Sequence, residues 1–262
     1  GDDGITCYAK INIERNLFVN NVDGIDYEGG GGLCRWNHFV ANDDDGVDLD
    51  LDCAVLVAEN RIEFNDDDGI EMRLHEYAGD LLQIVIRDNV IRGNGEDGIQ
   101  FIDYPDDSDR RIRVERNVIV QNAMAGIGCM ADGITVENYE GASIPELIEI
   151  VNNTIAENEY GITGGDHVAA LNNVILSNRQ VGMRDVDGDS VIRHTLFWDN
   201  GIDHERSHVE TGTAYRENPE FDARYQPKRQ SACHGKGGQK VETKQGIEVL
   251  AAHQDLGALP VE

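Results

Sequence analysis

The sequence is short of aromatic residues, of lysine, of paired cysteines and of long apolar runs, and each shortage excludes something. Aromatics are 6% of 262 residues, too few for an ordinary globular core of this size, so Ile, Val and Leu must fill a narrow interior. No apolar stretch reaches the roughly 18 residues of a membrane helix, so no span is expected. Cys7, Cys34, Cys53, Cys129 and Cys233 are odd in number and unevenly spaced, which is no disulfide framework. Basic residues number 22 against 50 acidic ones, a net charge of −28, and this excludes a nucleic acid held on a broad cationic face. Such acidity suits bound divalent cations, a cationic partner, or a saline habitat that screens self-repulsion. Lysine usage fits the last, since Lys10 is the sole lysine before Lys228. The opening Gly-Asp-Asp-Gly carries no charged and apolar leader, so any signal peptide is expected to have been removed or to lie outside this sequence.

What the chain does have is glycine, 29 residues of it, and a repeat. "INIERNLFVNNVDGI", "IVIRDNVIRGNGEDGI" and "IEIVNNTIAENEYGI" share one pattern. One asparagine column runs Asn16, Asn37, Asn60, Asn89, Asn117, Asn153 and Asn173, closed by Thr195. A second, at a constant offset, runs Asn21, Asn42, Asn65, Asn94, Asn122, Asn158, Asn178 and Asn200. Alternation at period two marks strands with Ile13, Cys34, Val57, Ile86, Val114, Ile150, Ala170 and Ile192 in one inward column, and Phe18, Phe39, Ile62, Ile91, Ile119, Ile155, Ile175 and Phe197 in another. Short strands at a spacing near that of Asn16 to Asn37 predict an all-β right-handed parallel β-helix, a solenoid of about eight coils. The asparagines are expected to bond to one another from coil to coil. The glycines of the Gly-Ile phrase should mark bends that need either positive φ or close backbone approach, and Cys7, Cys34 and Cys129 should be core.

The repeat covers residues 1–210 and fades after "TLFWDNGID". Residues 211–262, with "NPEFD" and "QDLGALP", resemble the ending common in bacterial β-helix proteins, which implies a C-terminal cap of the same domain. No matching phrase precedes the first coil, so upstream sequence or another chain is expected to cover that end.

Three insertions, "RLHEYAGDL", "IDYPDDSDRR" and "CMADGITVENYEGASIPEL", follow the Gly-Ile strand of successive coils and should form a wall beside one face. Acids crowd the corners before these strands, and stacked coils lie about 4.8 Å apart, where like charges repel by roughly 1 kcal/mol per pair even in water. Calcium ligated by Asp44, Asp45, Asp67, Asp68 and Asp97 would relieve that repulsion. Arg73, His75 and Tyr77 add a guanidinium and two proton carriers. Arg73 and His75 share the outward face of one strand with Glu71; Asp48 and Asp50 lie outward one coil below, and Asp103 and Tyr104 lie one coil above. Arg73, His75, Tyr77 and Asp50 are therefore the candidate catalytic residues, with Glu71, Asp48, Asp103 and Tyr104 binding substrate. A uronate carboxylate neutralised by Arg73 or calcium has an acidified C5 proton that His75 or Tyr77 can remove, giving β-elimination or epimerisation.

The repeat resembles the pectate-lyase-like superfamily of right-handed β-helix proteins, many of which are carbohydrate lyases, hydrolases or epimerases. The resemblance implies a secreted or cell-surface protein whose partner is a polysaccharide. "GIEMRLHEY" is similar to the alginate-epimerase region that carries Tyr, Asp and His, although the Asp-Pro-His core is absent. "NNVDGID" and "NDDDGVD" on consecutive coils resemble polygalacturonase-type hydrolases and nominate Asp23, Asp44 and Asp45 as acid and base of an inverting reaction; the Gly-His-Gly and Arg-x-Lys motifs of those enzymes are missing. The third alternative is a non-catalytic glycan-binding or cell-surface module.

Overall fold

The computed structural model describes residues 2–104, 108–131, 139 and 142–261. Each coil lays one short strand in each of three parallel sheets. The first sheet runs Ile5–Cys7, Ile25–Glu28, Val47–Asp50, Ile70–Leu74, Ile99–Asp103, Ala125–Ala131, Tyr160–Thr163, Val181–Arg184 and Ile202–Glu205. The second sheet begins at Lys10–Glu14 and ends at Val191–Arg193; the third runs from Leu17–Val19 to Thr195–Trp198, with Ala214–Tyr215 added beyond it. Every strand of these sheets pairs in parallel with its counterpart one coil on, as Ile25 pairs with Val47 and Phe18 with Phe39. The fold is thus the parallel β-helix that the repeat predicts. No helix among the described residues is long and apolar enough to cross a membrane.

The inward columns are one continuous core: the residues from Ile13 to Ile192 and from Phe18 to Phe197 named above all belong to it. Cys7, Cys34 and Cys129 are buried free thiols within it. Both asparagine columns are hydrogen-bonded ladders. Asn89 Nδ2 donates to Asn117 Oδ1 at 3.0 Å, and Asn94 Nδ2 to Asn122 Oδ1 at 2.9 Å. Positive φ falls on the residue before each asparagine, as at Asp88 and Arg116, while the Gly-Ile glycines are required for close approach. A Cβ on Gly46 would lie 2.6 Å from the Gly69 carbonyl oxygen, and one on Gly98 would lie 2.7 Å from that of Gly126.

Two expectations change. Part of the first insertion joins an 11-residue strand, Tyr77–Arg87, with a register shift between Tyr77 and Leu82; the middles of the other two insertions lie outside the described residues. In the C-terminal segment, Ala214–Tyr215 does cover an edge of the third sheet, but much of the rest folds back along the outside of the solenoid. Val241 and Val249 pack on Leu147, Val151, Ala169 and Leu171 of the second sheet. Cys233 and Leu256 pack on Val174 and Leu196 of the third. The cause is that outward positions of the later coils are themselves apolar and must be removed from water.

Candidate functional site

The outer face of the first sheet, over the second to fourth coils, gathers the acids. In-register pairing stacks Asp26 on Asp48, Asp48 on Glu71 and Glu71 on Gln100, with Glu28 beside Asp50. Strand alternation points these side chains away from the core, yet Asp48 and Glu71 are less than a tenth exposed. Arg73, two residues beyond Glu71 on the same strand, lies among them. Its Nη1 is 2.6 Å from Asp48 Oδ2 and 3.5 Å from Asp50, and its Nη2 contacts Glu71. His75 Nε2 is 3.7 Å from Asp50 Oδ1, and its ring lies 4.2 Å from the ring of Tyr104. The structure therefore brings Arg73, His75, Asp48, Asp50, Glu71 and Tyr104 together.

Two nominated residues sit apart from them. Tyr77 begins the Tyr77–Arg87 strand of the second sheet, around the corner, and its hydroxyl lies against Gly79. Asp103, expected one coil above Arg73 and His75, pairs with Leu74 and so has the inward parity of its strand.

The corner aspartates form a third ladder that the sequence reading missed. Asp23 Oδ1 accepts from the amide of Asp45 at 2.9 Å, Asp45 Oδ1 from that of Asp68 at 2.8 Å, Asp68 Oδ1 from that of Asp97 at 2.6 Å, and Asp97 Oδ1 from that of Ala125 at 2.6 Å. The signal was the constant Asp-Gly phrase ahead of each strand. These carboxylates satisfy backbone donors at a buried bend, so Asp23 and Asp45 are tied to the scaffold by one oxygen each, as are Asp68 and Asp97. Asp97 also accepts from the Tyr139 hydroxyl.

Of the nominated metal ligands, Asp44, Asp45 and Asp67 form one group whose ligand atoms lie within 4.8 Å of one another, and Asp45, Asp48 and Glu71 form a second. Asp68 and Asp97 belong to neither. The second group is buried throughout, and Asp48 Oδ1 lies in it without a hydrogen-bond partner. Burial, reinforced by neighbouring acids, raises these carboxyls: Asp48 to about 7 and Glu71 to about 8, each against the pull of Arg73, and Asp45 well above the usual carboxylate range. Asp23, Asp26 and Asp44 rise to about 6, again chiefly through burial. Burial opposes the charge on Arg73, but Asp48, Glu71 and Asp50 hold its proton more firmly than usual.

Arg110 was not anticipated. It is buried, donating from Nη1 to the His75 carbonyl at 2.6 Å and from Nη2 to the Leu51 carbonyl. One guanidinium thus fixes both the segment carrying His75 and the turn after Asp50. It comes from an insertion, where no column exists to flag it.

A family model for the right handed beta helix region matches residues 2–140. No curated protein and no solved structure matches the chain.

Proposed function

Because the chain belongs to the right-handed β-helix family, a fold that supplies a scaffold rather than a chemistry, its function must be argued from the acidic face, and we propose that this face binds and modifies a uronate-containing polysaccharide with the help of calcium. The observation that carries the proposal is the buried group of Asp45, Asp48 and Glu71, with Asp48 Oδ1 unpartnered inside it. Carboxylates so placed repel one another and fit a hard cation that prefers oxygen ligands. Asp45, Asp48 and Glu71 would hold the ion, which would supply the positive charge that acidifies the C5 proton of a uronate.

The chain's own residues do the rest. Arg73 presents a guanidinium matched to a carboxylate. His75 is the proton carrier, with Asp50 beside its Nε2 and Tyr104 against its ring. In β-elimination the C5–H bond breaks to His75, the C4–O bond breaks, the electron pair becomes the C4=C5 double bond, and the departing oxygen takes a proton. In epimerisation the proton returns to the opposite face of C5. A secreted or cell-surface location is where such a polymer is met. The hydrolase alternative draws less support, since Asp23 and Asp45 each hold a backbone amide.

The test is to incubate the chain with a panel of polyuronates, with calcium or with EDTA. Unsaturated uronide is followed by its ultraviolet absorbance, and inversion at C5 by proton NMR. One of these products is expected with calcium, none with EDTA, and none from a folded His75→Ala variant. Reducing ends without either product would point to hydrolysis, and saturable binding without any product to a glycan-binding module.

A further inference from the structure

The third sheet has an outer face that the C-terminal segment covers only in part. Ala258 and Tyr225 pack over Val118, Val120 and Ala156, whereas Val90, one coil earlier, remains exposed. At that step a groove of about 440 Å³ opens, with Val90, Val118 and Val120 among its lining and Ala223, Arg224 and Tyr225 beside them. Arg61 and Arg92 line it as well.

The charge here runs against the rest of the molecule. Acids outnumber bases 50 to 22, and arginines elsewhere mostly sit in ion pairs, as Arg73, Arg113 and Arg116 do. Arg92 instead donates from Nε to the neutral amide of Gln121 at 2.8 Å. Neither Arg92 nor Arg224 has an ion-pair partner among the described residues. Arg61 shares Glu63 with His38, and Tyr225 donates to Glu157 at 2.8 Å. Glu63 lines the groove as well, but Arg61 and His38 hold its carboxylate, so Arg92 and Arg224, the latter near Asp222 without a direct ion pair, leave the apolar floor bordered by an excess of guanidinium charge. A guanidinium satisfies a carboxylate with two parallel hydrogen bonds, and the valines gain by excluding water.

We infer that this groove is a binding site for a small organic carboxylate with an apolar body, held by Arg92 and Arg224 with its body on Val90, Val118 and Val120. The site is separate from the acidic face and does not depend on the function proposed for that face. Two sources share the chemistry: a free aromatic or aliphatic acid, and a uronic acid unit of a glycan, whose ring presents C–H groups on one face.

Isothermal titration of the full chain distinguishes them. The probes are phenylacetate, its neutral amide and a digalacturonate, each added to the wild type and to the Arg92→Gln/Arg224→Gln double variant. Both substitutions are at exposed positions and outside the cluster around Arg73. A carboxylate probe is expected to bind saturably and to weaken about tenfold or more in the double variant, the scale of a lost charged hydrogen bond. The neutral amide should bind the wild type correspondingly worse. Preference for phenylacetate assigns a free acid and preference for digalacturonate a glycan. Absence of saturable binding by both acids, equal binding to the double variant, or equal binding of the amide would overturn the site.

Discussion

Arg73 sits on two of the three carboxylates that would hold a cation. Its guanidinium contacts Asp48 and Glu71, which group with Asp45, so Arg73 and a divalent ion compete for the same oxygens. Two unit charges about 4 Å apart near a protein surface interact by roughly 4 kcal/mol, and displacing the arginine forfeits part of this. An Arg73→Gln variant is therefore expected to bind calcium about tenfold more tightly by calorimetry while losing affinity for a polyuronate. Weaker calcium binding in that variant would mean the two do not compete. Much of this cluster was legible in the sequence, because strand parity is a choice between two faces and it put Asp48, Glu71 and Arg73 on one. What failed was position at strand ends. Asp103 took the other parity, Tyr77 passed around the corner, and Arg110 reached back from an insertion that no column describes.

Between coils, the fold is specified by ladders. Asn117 accepts from Asn89 and donates to Asn153 and to the Ile86 carbonyl, and the aspartates do similar work at the third corner. The glycine column holds the coils together by its lack of a side chain. A Cβ on Gly98 would meet the Gly126 carbonyl oxygen at 2.7 Å, the Asn122 amide nitrogen at 2.8 Å and the Ile119 side chain. Gly98→Ala is expected to cost about 2 kcal/mol in chemical denaturation, an overpacking loss reduced by the entropy an alanine removes from the unfolded chain. Gly212→Ala meets nothing within 4 Å and should be neutral; equal effects at the two sites would refute the close-approach role. The asparagine and inward columns were readable because each repeats at a constant offset. The resting place of residues 211–262 was not read, although "LIEIV" and "VAAL" lose the alternation of the earlier coils and so announced an apolar exterior awaiting a cover.

Over the whole molecule the net charge is −28, and the few acids that are buried together, Asp45, Asp48 and Glu71, give its pH dependence a direction. Unfolded carboxyls ionise near pH 4, whereas Asp48 keeps its proton to about 7 and Glu71 to about 8 through burial. Between those limits the folded chain binds more protons at these two groups than the unfolded one, so the stability they contribute is full below about pH 4 and is lost as pH rises through 7 and 8. A cation bound to the ionised group reverses the loss, by about 2.7 kcal/mol at a hundred times its dissociation constant. The most direct measurement is thermal melting of the wild type and of Asp48→Asn/Glu71→Gln at pH 5.5 and pH 8, at matched ionic strength, with calcium or EDTA. The expected result is a wild type that melts lower at pH 8 in EDTA and recovers with calcium, and a variant in which both responses are much reduced. A wild type indifferent to calcium at pH 8, or a variant that responds as the wild type does, would contradict a cation site on this face.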